Sequence, residues 1–269
     1  MAKRALCVGI NDYPGTANDL NGCVNDAKAW SQLLTSRYGF PAGDVKVLLD
    51  AQATKANMMA GLKSLLAGAK AGDILVFTNS SHGTYVADTS GDEAYDEAIC
   101  PYDCDANLIL DDELRELFAG TPDGVSLMVI SDSCHSGTLT RAAVADAVPG
   151  MRVPDERRVR FLNPAHLKRA VLQDPWTAQP RRRQKYPQSG MRDVLFSGCR
   201  PTEYSYDARI EGVYHGAMTA MAMKAIVENP HITWQQLQTR AQSLLDAADY
   251  PQHPQLEGAA ANKKKPVFT

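Results

Sequence analysis

Two short strings hold side chains suited to covalent chemistry: Asn79-Ser80-Ser81-His82-Gly83 and Asp132-Ser133-Cys134-His135-Ser136-Gly137. Each follows an apolar run, DILVFT (73–78) and VSLMVIS (125–131). Near-continuous apolar runs of this length read as strands buried on both faces of a parallel sheet. Ligands of such sheets bind beyond the carboxyl ends of the strands. If the two runs are neighbours, a histidine and a cysteine therefore stand side by side at one sheet edge. That pair is what thiol catalysis requires. A thiolate attacks, and an imidazole takes the thiol proton and later hands it to the leaving amine. Gly83 lets backbone approach a substrate carbonyl, and its N–H together with that of Cys134 would form an oxyanion hole. His135 competes for the role of base. Adjacent side chains diverge, however, so His82, from the second strand, is preferred. A lone Cys or His is usually an inert core thiol or a satisfied loop histidine. Two of them at consecutive strand ends, each in a glycine-containing string, favour the catalytic reading.

The elements that must position them follow from pattern. RALCVGI (4–10) reads as a strand, and Val24, Ala27, Trp30, Leu33 and Leu34 give a helical period over 21–38, stopped by Gly39. VKVLL (45–49) is a second strand, and Thr54 caps a helix reaching about Ala69. DDELRELF (111–118) begins a helix with acids in its first turn, and VLFSGC (194–199) is a further strand. Helices are expected over 215–228 and, capped by Thr233, over 233–248, with KPVFT (265–269) as a final edge strand. Strands alternating with helices predict an α/β fold on a mostly parallel sheet of roughly six strands.

The 269 residues are 44% apolar and 22% charged, which excludes wholesale disorder. No run of 18 apolar residues exists, and the apolar run after MAKR is too short for a secretory signal. Six cysteines without framework spacing suggest reduced thiols and a cytoplasmic protein. Cys100-x3-Cys104 has no second pair at matching spacing, which argues against zinc. The net charge of −3 conceals an asymmetry. Residues 152–185 carry ten Lys/Arg against three Asp/Glu, or +7, leaving −10 for the rest. This cluster lies in a long insertion, 141–190, with six prolines. The plain reading is a solvated loop. The alternatives are a nucleic-acid patch, against which its few aromatics argue (Phe161, Trp176, Tyr186), or a segment recognised by the acidic body itself.

Several strings occur in a telling order: Gly9-Ile10-Asn11-Asp12-Tyr13, Leu20-Asn21-Gly22-Cys23-Val24-Asn25-Asp26-Ala27, Gly72-Asp73, Ser81-His82-Gly83, Asp111-Asp112-Glu113-Leu114 and Asp132 to Gly137. Gly198-Cys199-Arg200 and Gly216-Ala217-Met218-Thr219 follow. In these strings the chain resembles the caspase-like cysteine peptidases, and among them the metacaspases and their prokaryotic relatives, the orthocaspases. The Gln-Ala-Cys-x-Gly string of caspases proper is absent, which points away from cleavage after aspartate. Ser81 and Thr84 depart from the Ser-Gly-His-Gly string usual in the family.

The resemblance implies a caspase-like α/β sandwich forming one peptidase domain over 1–269. Its parts would be a large-subunit-like 1–140, the insertion 141–190 and a small-subunit-like 191–269. It implies Cys134 as nucleophile, His82 as base, and cleavage after Arg or Lys. The S1 pocket would hold Asp26 and Asp132, lined by Cys23 and Ser80; paired buried carboxylates suit a guanidinium with its five donors. It implies self-cleavage within 141–185, with Arg157, Arg158, Arg181, Arg182, Arg183 and Lys185 as candidate sites. The chemistry itself would need no cofactor. Calcium would be an activator held by Asp96, Asp111 and Asp112, with Asp88, Asp92 and Glu93 as alternatives. Arg141 stands where calcium-dependent members often carry aspartate, and Asp111 and Asp112 could equally just favour a helix N-terminus. The implied partner is a protein or peptide substrate bearing Arg or Lys, with no nucleic acid, no membrane, and a monomeric enzyme. The alternatives are a catalytically silent caspase-fold scaffold or binding module, and a peptidase with another P1 preference.

Overall fold

The computed structural model describes residues 1–87, 95–134, 157–164, 167 and 191–269. The chain begins with β1 (Lys3–Gly9), α1 (Cys23–Arg37), β2 (Val45–Leu49), α2 (Lys55–Leu66) and β3 (Ile74–Ser80). There follow β4 (Gly83–Ala87), β5 (Tyr95–Ile99), β6 (Ile109–Leu110), α3 (Asp111–Ala119) and β7 (Ser126–Asp132). The remainder comprises β8 (Arg157–Val159), β9 (Asp193–Ser197), β10 (Tyr206–Ile210), β11 (Val213–Gly216), α4 (Ala217–Glu228), α5 (Trp234–Ala247), β12 (Gln255–Gly258) and α6 (Ala260–Lys263).

The main sheet has six strands in the order β12-β9-β7-β3-β1-β2, parallel except for β12, as the alternation of strands and helices predicted. Every residue of β3 is buried, because helices cover both faces. One face packs Trp30, Met218, Ala222, Trp234 and Leu237 from α1, α4 and α5, and the other packs Met58, Leu62 and Phe118 from α2 and α3. Thr54 Oγ1 accepts the Asn57 N–H, and Thr233 forms a capping box with Gln236, so both predicted helix starts are confirmed. Most important for the site, β3 and β7 run in parallel register with Ser80 opposite Asp132. His82 and Cys134 thus leave the sheet level with one another, each two residues beyond that pair.

Two smaller antiparallel sheets, β4-β5-β6 and β11-β10-β8, flank this edge and were not legible from periodicity. The 215–228 helix starts only at Ala217, because 213–216 fold back on β10 through Glu211 and Gly212. Both have positive φ, 52° and 90°, as a type I′ hairpin turn demands. Part of the basic insertion is not a solvated loop: Arg157–Val159 pair with β10.

The C-terminus corrects a second expectation. KPVFT makes no strand but a single bridge, Pro266 to Thr233, and β12 is the edge strand instead. The reason is Phe268. Its backbone takes a φ of 58°, and its fully buried ring packs edge-on to Trp30, Tyr38 and Trp234. Burial of that ring outweighs extension of the chain. Phe268→Ala is expected to cost about 3–5 kcal/mol in urea unfolding; a loss under about 1 kcal/mol would show that the C-terminus is not part of the core.

Candidate active site

His82 is fixed from both ends. Its backbone N–H donates to Tyr13 Oη (3.1 Å), which donates in turn to the Cys100 carbonyl (3.0 Å), and Cys100 N–H donates to the His82 carbonyl (3.0 Å). The ring lies against that of Tyr13, centroids 5.1 Å apart. Nε2 is 2.7 Å from the Asn18 carbonyl oxygen, which only accepts, so the proton sits on Nε2. Nδ1 is then the basic atom, and it is buried without a hydrogen-bond partner among the described residues. Burial pushes the His82 pKa down to about 4, with the Asn18 carbonyl opposing. The imidazole is therefore neutral near pH 7 and ready to accept a proton.

Cys134 is fully buried, and its Sγ receives the Ser205 N–H at 2.9 Å. The loops bearing base and thiol touch: a Cβ on Gly83 would stand 1.9 Å from the Cys134 carbonyl oxygen, so only glycine fits. The N–H groups of Gly83 and Cys134 converge, as expected of an oxyanion hole, and they converge on one atom. The carbonyl oxygen of Arg160 accepts both, at 3.0 and 3.2 Å.

The Arg160 side chain continues from there into a closed pocket and is fully buried. Nη2 binds Asp26 (2.7 Å) and Asp207 (3.0 Å), and Nη1 binds the carbonyl (3.1 Å) and carboxylate (3.4 Å) of Asp132. The carboxylates also have partners besides the guanidinium. Asp132 accepts from Thr219 N (2.9 Å), Thr219 Oγ1 (2.8 Å) and Ser205 Oγ, and Asp26 accepts from Gly216 N (3.0 Å) and is paired with His215 Nδ1 (2.8 Å). Asp207 accepts from the N–H groups of Asn21 (2.7 Å) and Gly22 (2.9 Å). Burial pushes the Asp26 carboxyl pKa up, with Arg160 opposing. Cys23 also lies in reach of Arg160; burial raises its thiol pKa and the guanidinium lowers it. Ser80 is buried at the end of β3 opposite Asp132. Gly216 walls the pocket, since a Cβ there would meet Asp132 Oδ2 at 2.1 Å and Arg160 Nη1 at 2.4 Å.

The structure thus brings together His82, Gly83, Cys134, Asp26, Asp132 and Cys23. It adds Asp207 and Arg160, which sequence reasoning missed. Arg157 and Arg158 do not reach the hole: they stand three and two residues upstream of Arg160, with Arg158 Nη1 donating to the Asp19 carbonyl. Arg181, Arg182, Arg183, Lys185, His135, Asp88, Asp92, Glu93 and Arg141 lie outside the described residues. Asp111 and Asp112 open α3 and pair with Arg115 (2.8 and 3.7 Å), while Asp96 is buried on β5. Among the described residues no three His, Cys, Asp or Glu gather to hold a metal ion. Asp96, Asp111 and Asp112 form no such group among the described residues. All six cysteines are free, and no described helix is long and apolar enough to cross a membrane.

The family model for the metacaspase peptidase C14 domain matches residues 3–142. Metacaspase-1 of Scheffersomyces stipitis is 33% identical over 285 residues, covering 94% of this chain and 70% of that protein. The chain belongs to the metacaspases. Metacaspase-7 of Arabidopsis thaliana is 44% identical over 147 residues, 52% of this chain but only 36% of its own length. The chain therefore matches about a third of that plant metacaspase. The crystal structure of protein GSU0716 from Geobacter sulfurreducens superposes with a TM-score of 0.78 at 26% identity, covering 100% of this chain and 99% of that one. The caspase-like α/β architecture accords with membership of the metacaspases.

A buried, neutral His82 has a consequence for stability. Its folded pKa lies below the unfolded value of about 6.5. As pH falls through that value the unfolded chain takes up the proton first, so this group's share of stability declines between about 6.5 and 4. In Cys134→Ala, ¹⁵N imidazole shifts at pH 5.5 are expected to show a neutral ring protonated on Nε2. An imidazolium signature at that pH would contradict the assignment.

Proposed function

We propose that this metacaspase is a cysteine endopeptidase that cleaves after arginine or lysine, and that it processes itself at the Arg160–Phe161 bond. One observation carries the reading. The carbonyl oxygen of Arg160 accepts from Gly83 and Cys134 N–H while its guanidinium ends among three carboxylates. The chain leading to it adds a strand to β10, as a peptide substrate adds to an exposed sheet edge.

In this reading Cys134 Sγ attacks the carbonyl carbon of Arg160 as His82 Nδ1 takes the thiol proton. The carbonyl oxygen becomes an oxyanion, held by two N–H donors already aimed at it. The C–N bond breaks, His82 delivers its proton to the amine of Phe161, and a thioester joins Arg160 to Cys134. Water, deprotonated by His82, then attacks the thioester and releases an Arg160 carboxylate and the free thiol. The Ser205 N–H donates to Sγ at 2.9 Å and Sγ reaches the Ser205 carbonyl at 3.5 Å, so the backbone of one residue orients the sulfur. All of these groups come from one chain. Calcium enters only as an activator, and comparing rates with and without a chelator tests that role.

Incubation of the purified chain is expected to yield a fragment whose sequenced N-terminus is Phe161. Cys134→Ala and Arg160→Gln should stay whole, and Cys134→Ala should lose at least about a thousandfold against an arginyl coumarin peptide. Processing at another bond would remove the self-cleavage assignment. Undiminished peptide hydrolysis by Cys134→Ala would overturn the peptidase reading.

A further inference from the structure

We propose a second cation site in the substrate cleft, one that selects arginine at P4, the fourth residue upstream of the cleaved bond. This rests on the peptidase reading above and names the substrate class it implies, Arg-x-x-Arg. With Arg160 at P1, the residues before it are Val159 at P2, Arg158 at P3 and Arg157 at P4. The Arg157 guanidinium lies over the ring of Tyr250, its carbon 4.1 Å from the centroid. Nη1 donates to the Asp249 carbonyl at 2.8 Å, and Nη2 reaches the Ala248 carbonyl at 3.4 Å.

These partners form a built receptor rather than a chance contact. Ala248 and Asp249 directly follow α5, where the helix presents its unpaired carbonyls and the negative end of its dipole. Asp249 has a φ of 58°, the left-handed residue that ends a helix, and Tyr250 N–H donates back to the Leu245 carbonyl at 3.0 Å. Tyr250 itself is only 7% exposed and belongs to the core, its ring 6.2 Å from that of Tyr206 on β10. The floor and the two acceptors are thus held by the core and by the helix end. Arg157 does not hold them in place.

The chemistry favours arginine specifically. A guanidinium offers a flat face to an aromatic ring and edge N–H groups to two carbonyls at once, whereas an ammonium is a point charge. The intervening Arg158 is exposed and meets one carbonyl, that of Asp19, and P2 carries a half-buried valine, whereas P4 has a ring face and two carbonyls. The two sites differ in kind. P1 meets three buried carboxylates, while P4 meets a ring and neutral carbonyls at the rim.

The test measures the wild-type chain on three tetrapeptide coumarins, X-Arg-Val-Arg, with arginine, lysine or neutral citrulline at X. Citrulline is expected to lower kcat/KM about tenfold, chiefly through KM, with lysine between the two. Tyr250→Phe should retain most of that preference. Tyr250→Leu should bring the arginine-to-citrulline ratio close to one, a change that general damage to the fold would not produce. In the chain itself, Arg157→Gln should slow cleavage at Arg160–Phe161 by a similar factor. A wild-type ratio within about twofold, or a ratio undiminished in a folded Tyr250→Leu, overturns the P4 site and leaves the peptidase reading intact. No turnover of any of the three peptides overturns the peptidase reading, and the P4 site with it.

Discussion

Three carboxylates enclosed together repel one another, and each is costly to remove from water. Asp26, Asp132 and Asp207 bear that cost in one pocket, and a guanidinium is the group that relieves it. They come from three distant parts of the chain: the first turn of α1, the end of β7 and the start of β10. The pocket exists only when the sheet edge, α1 and the β10–β11 hairpin are assembled. Its backbone donors, from Asn21, Gly22, Gly216 and Thr219, share the carboxylates with the guanidinium and fix where they point. Fold and pocket are one constraint here, since the groups that close the structure around β10 also enclose the Arg160 guanidinium.

The reacting groups depend on a second closeness. Parallel register between β3 and β7 puts two loops at the same height, and Gly83 lets their backbones meet where any side chain would collide with Cys134. That contact directs two N–H groups onto one oxygen. Tyr13 and Asn18, from the loop after β1, then fix the orientation and tautomer of His82. The His82–Cys134 pair rests on three adjacent strand ends, and the sheet supplies their rigidity.

His82 and Cys134 were legible because each ends a strongly apolar strand, and strand ends of parallel sheets are where chemistry collects. Asp26 and Asp132 were legible through the resemblance of their strings to a family. Asp207 was not. Its strand, YDARI, lacks clean alternation and exists because it pairs with β8 and β11, contacts that no local window contains. Arg160 was hidden for a different reason. It is one of ten cations in the basic stretch, and only the register of β8 on β10 separates it from Arg157 and Arg158. Dibasic pairs drew attention because they are conspicuous, yet the buried cation is a single arginine followed by phenylalanine. The C-terminal strand failed because one aromatic side chain found a better place in the core than in an extended edge.

The opposed charges of body and insertion are resolved by depth rather than by sum. β8 contributes three residues, too short a pairing to hold a segment by backbone hydrogen bonds alone. Backbone bonds continue past it, from Arg160 N–H to the Ser205 carbonyl and from Leu162 N–H to the Gly83 carbonyl, both 2.9 Å, and the arginine side chains add to them. Salt screens the exposed contacts of Arg157 and Arg158 but scarcely reaches the enclosed Arg160. An uncharged residue in place of Arg160 would leave three carboxylates confined without its counter-charge. The contacts of Arg157 are weaker in kind, a ring face and two carbonyls that water can still satisfy. If the cleft binds substrates as proposed, the same difference in depth makes it tolerant upstream and strict at the bond it cuts.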